Sequence, residues 1–243
     1  LGPRGWAAVA AAAVFVAVNW GMFIYGVSVG MVVEAALGYY MSPLVSVLLA
    51  VLVLRERLGV AQWSALGFGA AAVVVISVGN GSVPWLSMIL AGSFGTYGLI
   101  KATVPLPATA SLTAEGVVLV VPALALIGVL GSIGPGGLLS PGTFTDHGPW
   151  HLLLMLSAGP VTALPLLLYG VSARRIPLST LGTLMYLNPT LQFLWGVFVV
   201  GEPMPPSRWI GFALIWVALV VFTVDLLRRS RRTGPDQPMR STV

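Results

Sequence analysis

Residues 40–63 read YMSPLVSVLLAVLVLRERLGVAQW, and residues 186–209 read YLNPTLQFLWGVFVVGEPMPPSRW. Each copy carries Tyr, Pro three residues on, Glu thirteen after that and Trp seven further. The matched residues are Tyr40, Pro43, Glu56 and Trp63, and Tyr186, Pro189, Glu202 and Trp209, all at an offset of 146. Tyr and Trp are scarce in this chain, so the match marks a repeat. YGVS at 25–28 returns at 169–172, an offset of 144, one helix upstream of each copy.

The setting of the copies is a membrane. The chain is 57% hydrophobic and 8% charged, whereas a soluble domain carries about 25% charged residues. Apolar runs of bilayer-crossing length predict eight spans, near 6–28, 33–54, 60–79, 83–100, 109–131, 150–171, 178–200 and 208–227. A signal peptide does not account for the first, because similar runs continue to the end. The fold class is therefore an all-α polytopic helix bundle. The loop GSIGPGGLLSPGTFTDHGP (131–149) is Gly/Pro-rich and irregular. The tail after Leu227 has no apolar periodicity and is read as disordered.

Orientation follows from Lys and Arg. Arg4, Arg55, Arg57, Lys101, Arg174, Arg175 and the five arginines of the tail fall on one side if the spans alternate; Arg208 falls on the other. Both termini are then cytoplasmic. The +5 net charge is juxtamembrane and suits lipid rather than nucleic acid. Under this topology the turn LRERLG lies inside and GEPMPPSR outside, so the same segment is inserted in opposite senses. Inverted repeats are the architecture of secondary transporters. A repeat unit of five helices fits residues 81–227, whereas residues 1–80 hold three. The expectation is a ten-helix, five-plus-five protein lacking its first two helices here, with a cytoplasmic basic tail at 228–243.

The chain has no cysteine, and its histidines, His147 and His151, lie in or beside one loop. Disulfides, thiolate metal sites and cysteine catalysis are excluded, a histidine-built metal site is not expected, and neither is a cofactor. GVSVG (26–30) matches G-x-S-x-G, but a nucleophile elbow needs a strand–turn–helix setting and a histidine. The chain is read as no enzyme.

Further stretches carry a family resemblance: NWGMFIYGVSVGMVVEAALGYYMSPLVSVLL, RERL-x-x-x-QW, SVPWLSMILAGSFGTYGLIKATVPL and IPLSTLGTLMYLNPTLQFLWGVFVVGEP. They resemble EamA-type permeases of the drug/metabolite transporter superfamily, of the RarD kind. That resemblance implies ten helices in two units, a bacterial inner-membrane location and transport of a small molecule. Members are usually labelled chloramphenicol-sensitivity or chloramphenicol-resistance permeases. The alternative is a non-transporting scaffold or subunit derived from a truncated permease.

Within the spans, Pro43 and Pro189 each free a carbonyl, of Tyr39 and Met185, and serve either as kinks or as hinges of a broken helix. Polar residues gather at the second copy: Tyr186, Asn188 and Gln192, with Tyr40 the repeat partner of Tyr186. Asn19 and Trp20 could face the same space, and all six are candidates to line a solute cavity. Glu34 opens the second span, where helix-dipole placement is worth about 0.3–1 kcal/mol; interfacial placement and a gate or proton site are both open. Glu115 lies about two turns inside the fifth span, at a cost of up to roughly 2.5–3.5 kcal/mol at mid-membrane. Its readings are an ion pair with Lys101 or a site for a proton or cationic solute. The matched carboxylates Glu56 and Glu202 read as capping or pinning their helix turns rather than touching substrate. Expected partners are a small-molecule substrate, membrane lipid and a coupling ion such as the proton.

Overall fold

The computed structural model describes residues 2–55, 58–104, 106–132, 148–172 and 186–232. Glu56, Arg57, Arg174, Arg175, the seventh span up to Met185, most of the 131–149 loop and the tail from residue 233 lie outside that description. The described residues form helices α1 (Pro3–Ser28), α2 (Val32–Leu54), α3 (Val60–Asn80), α4 (Trp85–Thr103), α5 (Ala108–Ser132) and α6 (Gly148–Ser172). Then come α7 (Leu187–Trp195), which runs on into a π-helical turn (Gly196–Val200), and α8 (Pro206–Arg232). No strand occurs among the described residues. The first six helices begin and end within three residues of the spans expected from apolarity. The chain is a helical membrane protein.

Among the described residues, four helices, α1, α2, α3 and α8, are individually long and apolar enough to cross a bilayer. α4 is less apolar for a physical reason: its hydroxyls are used inside the bundle. Ser87 Oγ donates to the Glu34 carbonyl at 2.5 Å, and Ser93 Oγ accepts from Asn19. A helix that satisfies its polar side on neighbours does not need a uniformly apolar sequence.

The chain divides into two compact bodies. The smaller comprises Leu1–Val14 with Val104–Met185 and holds α5 and α6; the larger comprises Phe15–Thr103 with Tyr186–Val243. The larger body draws helices from both sequence halves. In it α2 lies parallel to α4, since Glu34 meets Leu86 near one end and Gly95 meets Val45 and Ser46 near the other. The close approach is set at Gly38, where a Cβ would stand 2.9 Å from the Ser87 carbonyl oxygen. Packing at this distance holds membrane helices together, where lipid tails remove most of the hydrophobic drive.

The matched helices of the two copies run oppositely. In α2 and α7, Val33 lies against Gly196 while Tyr40 lies against Thr190. In α3 and α8, Asn80 at the end of one meets Ser207 at the start of the other, and Ile76 packs on Gly211. The turns after the two helices are also alike. Arg55 and its repeat partner Gly201 both adopt left-handed backbone, with φ of 55° and 71°. Each ends its helix, a position where glycine is usual because an L side chain is strained there.

The core of the larger body is an aromatic cluster where α2, α7 and α8 meet. Phe193 lies 4.6 Å from Phe212 and 5.6 Å from Trp216, ring centre to ring centre. Tyr40 presents its edge to Phe212 and Trp216. These edge-on contacts are the arrangement aromatic quadrupoles favour.

Candidate functional site

Polar groups of the larger body collect at two levels. The first is the end that carries the turn between α7 and α8. Glu202 also reaches beyond its own turn: its Oε2 accepts the Val33 N–H at 2.8 Å, an orphan donor in the first turn of α2. Its Oε1 takes a 2.9 Å ion pair from Arg208, which also donates to the Pro203 carbonyl at 3.1 Å. Glu34 is half-buried and likewise acts on another helix, accepting the Leu86 N–H at 3.1 Å in the first turn of α4. The two carboxylates thus hold helix starts that are 169 and 52 residues away in sequence. Beneath them a space of about 10 Å³, the size of a single water site, lies among Leu37, Ile76, Phe212, Asn80, Glu34 and Arg208.

The second level is around the two prolines. Tyr40 is buried and its hydroxyl lies 2.6 Å from Thr190 Oγ1, which donates to the Tyr186 carbonyl at 2.7 Å. Tyr186 in turn is hydrogen-bonded to the Thr223 side chain. Pro43 sits inside α2, flanked by Ser42 and Ser46, whose hydroxyls bond back to the carbonyls of Gly38 and Ser42. Pro189 is the third residue of its described helix: Tyr186 is a turn residue and α7 starts at Leu187, so Pro189 falls in the first turn. There its missing N–H leaves no intrahelical bond unmade. The Met185 carbonyl lies outside the described residues.

Asn188 and Gln192 flank the buried stripe of Pro189, Phe193 and Gly196 on α7. Gln192 Nε2 donates to Asn188 Oδ1 at 3.2 Å. Gln192 Oε1 is buried without a hydrogen-bond partner among the described residues. Asn188 is exposed. Asn19 is different: both amide hydrogens are used, on the Leu90 carbonyl at 3.0 Å and Ser93 Oγ at 3.1 Å, and its oxygen accepts the Tyr39 hydroxyl at 3.1 Å. It is a buried knot tying α1, α2 and α4. Trp20 beside it is exposed. Lys101 stands 5.5 Å from the centre of the Tyr97 ring, a cation–π distance. In the smaller body, Glu115 is buried and accepts the Ser111 hydroxyl at 3.0 Å, one turn earlier on α5. No group of side chains among the described residues could hold a metal ion.

Thr190 and Ser93 carried no signal of their own in the sequence, because they are common residue types whose partners are set by packing between helices far apart in the chain. The side-chain partners of Tyr39 and Arg208 were likewise not marked there. The repeat held one usable clue, since Glu202 was conspicuous as a matched carboxylate. Between α2 and α3 there is also an open groove of about 410 Å³ with apolar walls, among them Leu44, Leu48, Trp63 and Leu66.

Comparison with known proteins agrees with this architecture. A model of the EamA-like transporter family matches residues 1–78. Protein RarD of Streptomyces exfoliatus is 48% identical over 231 residues, which cover 95% of this chain and 71% of the relative. The uncharacterized transporter YojE of Bacillus subtilis is 40% identical over 220 residues, covering 90% and 71%. Protein RarD of Escherichia coli is 36% identical over 230 residues, covering 93% and 74%. No solved structure matches the chain.

Proposed function

The chain belongs to the RarD group of EamA-type permeases, and from that premise we propose that it is a secondary transporter moving a small organic solute by alternating access. The observation that carries this reading is the opposed direction of the matched helices, α2 against α7 and α3 against α8. Related segments that run oppositely across one bilayer offer each side a similar pathway when one half rocks against the other. The same opposition supports a five-plus-five inverted repeat, with both termini in the cytoplasm of a bacterial inner membrane. Metabolites, amino acids and drugs are the solute classes this reading admits.

Asn188 and Gln192 are the residues we assign to the solute, with Tyr186 beside them. Their amides supply donors and, at Gln192 Oε1, a buried acceptor without a partner among the described residues. Buried acceptors are normally paired, so an open one beside an exposed amide suits a polar solute group. Asn19 and Tyr40 hold the wall in place, because their polar atoms are engaged with neighbours. Trp20 offers an apolar face, and Pro43 and Pro189 act as hinges. Glu115 binds the coupling proton; Glu34 belongs to the charged end described above.

Uptake into proteoliposomes containing the full chain tests this. Asn188→Ala is expected to raise the KM for a transported solute about tenfold, the worth of one polar contact. Glu115→Gln is expected to abolish accumulation driven by a pH gradient while leaving solute exchange intact. Unchanged uptake in both variants would remove these assignments.

A further inference from the structure

We propose that Glu202 and Arg208 form a gate that shuts one end of the transport pathway, and that the structure captures that gate closed. The inference rests on the transport reading above and adds a moving part to it. Several polar links at this end join residues of 1–80 to residues of 81–227, the two halves expected to rock, and the Glu202–Arg208 pair of the second half braces one of them. Glu202 Oε2 takes the Val33 N–H at 2.8 Å, Glu34 Oε1 takes the Leu86 N–H at 3.1 Å, and Ser207 Oγ reaches Asn80 Oδ1 at 3.3 Å. Arg208 is paired with Glu202 at 2.9 Å and acts electrostatically on Glu34 as well.

These contacts are of the kind that can open repeatedly. The Arg208 side chain is 21% exposed, against 6% for Glu202, so the pair sits at the edge of water. Charged groups and helix-start N–H groups at such an edge exchange one another for water when they part. The aromatic core below offers little such exchange, since its Phe and Trp rings are held by packing. The segment leading to Glu202 is also suited to movement. It is the π turn Gly196–Val200, in which the Gly196 carbonyl accepts both the Gly201 and the Glu202 N–H. π-helical turns are rare and are frequently found at functional sites.

The chain has no cysteine, so an introduced thiol is the only one present. Leu37 is 2% exposed and lies directly beneath the cluster. The full chain carrying Leu37→Cys is reconstituted in vesicles and treated with a membrane-impermeant maleimide from each side in turn. Adding Glu202→Gln or Arg208→Gln is expected to speed labelling about tenfold, and only from the side of the α7–α8 turn. Arg208→Lys, which keeps the charge, is expected to restore protection. Ala72→Cys, buried within α3, is the control for a loosened fold. Labelling that does not change with Glu202→Gln overturns the gate, and so does labelling that rises equally at residues 37 and 72 or from both sides. Because labelling needs no solute, a gated protein that carries nothing would count against the transport reading alone. Normal transport with no change in labelling would count against the gate alone.

Discussion

The hydroxyls of Tyr40 and Thr190 stand 2.6 Å apart, and that contact joins one copy of the repeated segment to the other. Tyr40 opens the first copy and Thr190 is the fifth residue of the second, so the bond pins α2 to α7 near the level of Pro43 and Pro189. Tyr40→Phe deletes this bond alone, because Thr190 keeps its own bond to the Tyr186 carbonyl. The expected loss is about 1 kcal/mol, seen as a lower melting temperature in detergent. An unchanged melting temperature would show that the bond contributes nothing.

Gly38 and Gly92 should respond oppositely to the same change. A Cβ on Gly38 would meet the backbone of Ser87, which cannot move without shifting α4, whereas one on Gly92 meets nothing within 4 Å. Gly38→Ala should destabilise by about 1–3 kcal/mol, and Gly92→Ala should be neutral or slightly stabilising, since alanine favours the helix. Equal melting temperatures for the two variants would contradict the α2–α4 packing described.

Arg55 holds a left-handed backbone that its repeat partner fills with glycine. Arg55→Gly should therefore stabilise the protein, by about 1 kcal/mol on the scale of that strain. The topology should not change, because the remaining basic residues of that side still set the orientation. A destabilised Arg55→Gly variant would mean that the arginine side chain makes a contact outweighing the strain.

Asn19 and Asn188 separate structure from transport. Asn19→Ala strands the Tyr39 hydroxyl and the neighbours on α4, at a cost of about 1–3 kcal/mol. Asn188 is exposed and its side chain is hydrogen-bonded to Gln192, one turn along the same helix, so Asn188→Ala should shift stability by no more than about 0.5 kcal/mol while uptake falls. Melting curves and uptake measured on the same preparations decide it. A stable Asn19→Ala protein with weakened solute binding would move Asn19 from the wall to the site.

The positions of the helices were legible because apolar runs of bilayer length leave few other readings, and the six first helices follow them closely. The partners of the polar residues were not. Glu34 read as interfacial or as a gate or proton site and Glu202 as capping or pinning its turn, and a sequence cannot reveal that the backbone donors they meet are on α4 and α2. Pro189 looked central to its span, whereas α7 begins two residues before it. Asn19 looked like a cavity residue for a sound reason, since an amide in hydrocarbon needs partners, but those partners are Leu90, Ser93 and Tyr39. The repeat was the exception, because two copies of one segment carry long-range information within a single chain.

Opposite insertion of those copies is the claim on which the transport account stands. Gly59→Cys and Pro203→Cys place single thiols in the turns after α2 and after α7, in a chain otherwise free of cysteine. An impermeant maleimide applied to intact cells and to inverted vesicles should reach residue 203 only from outside and residue 59 only from the cytoplasm. Labelling of both thiols from the same side would contradict the inverted repeat.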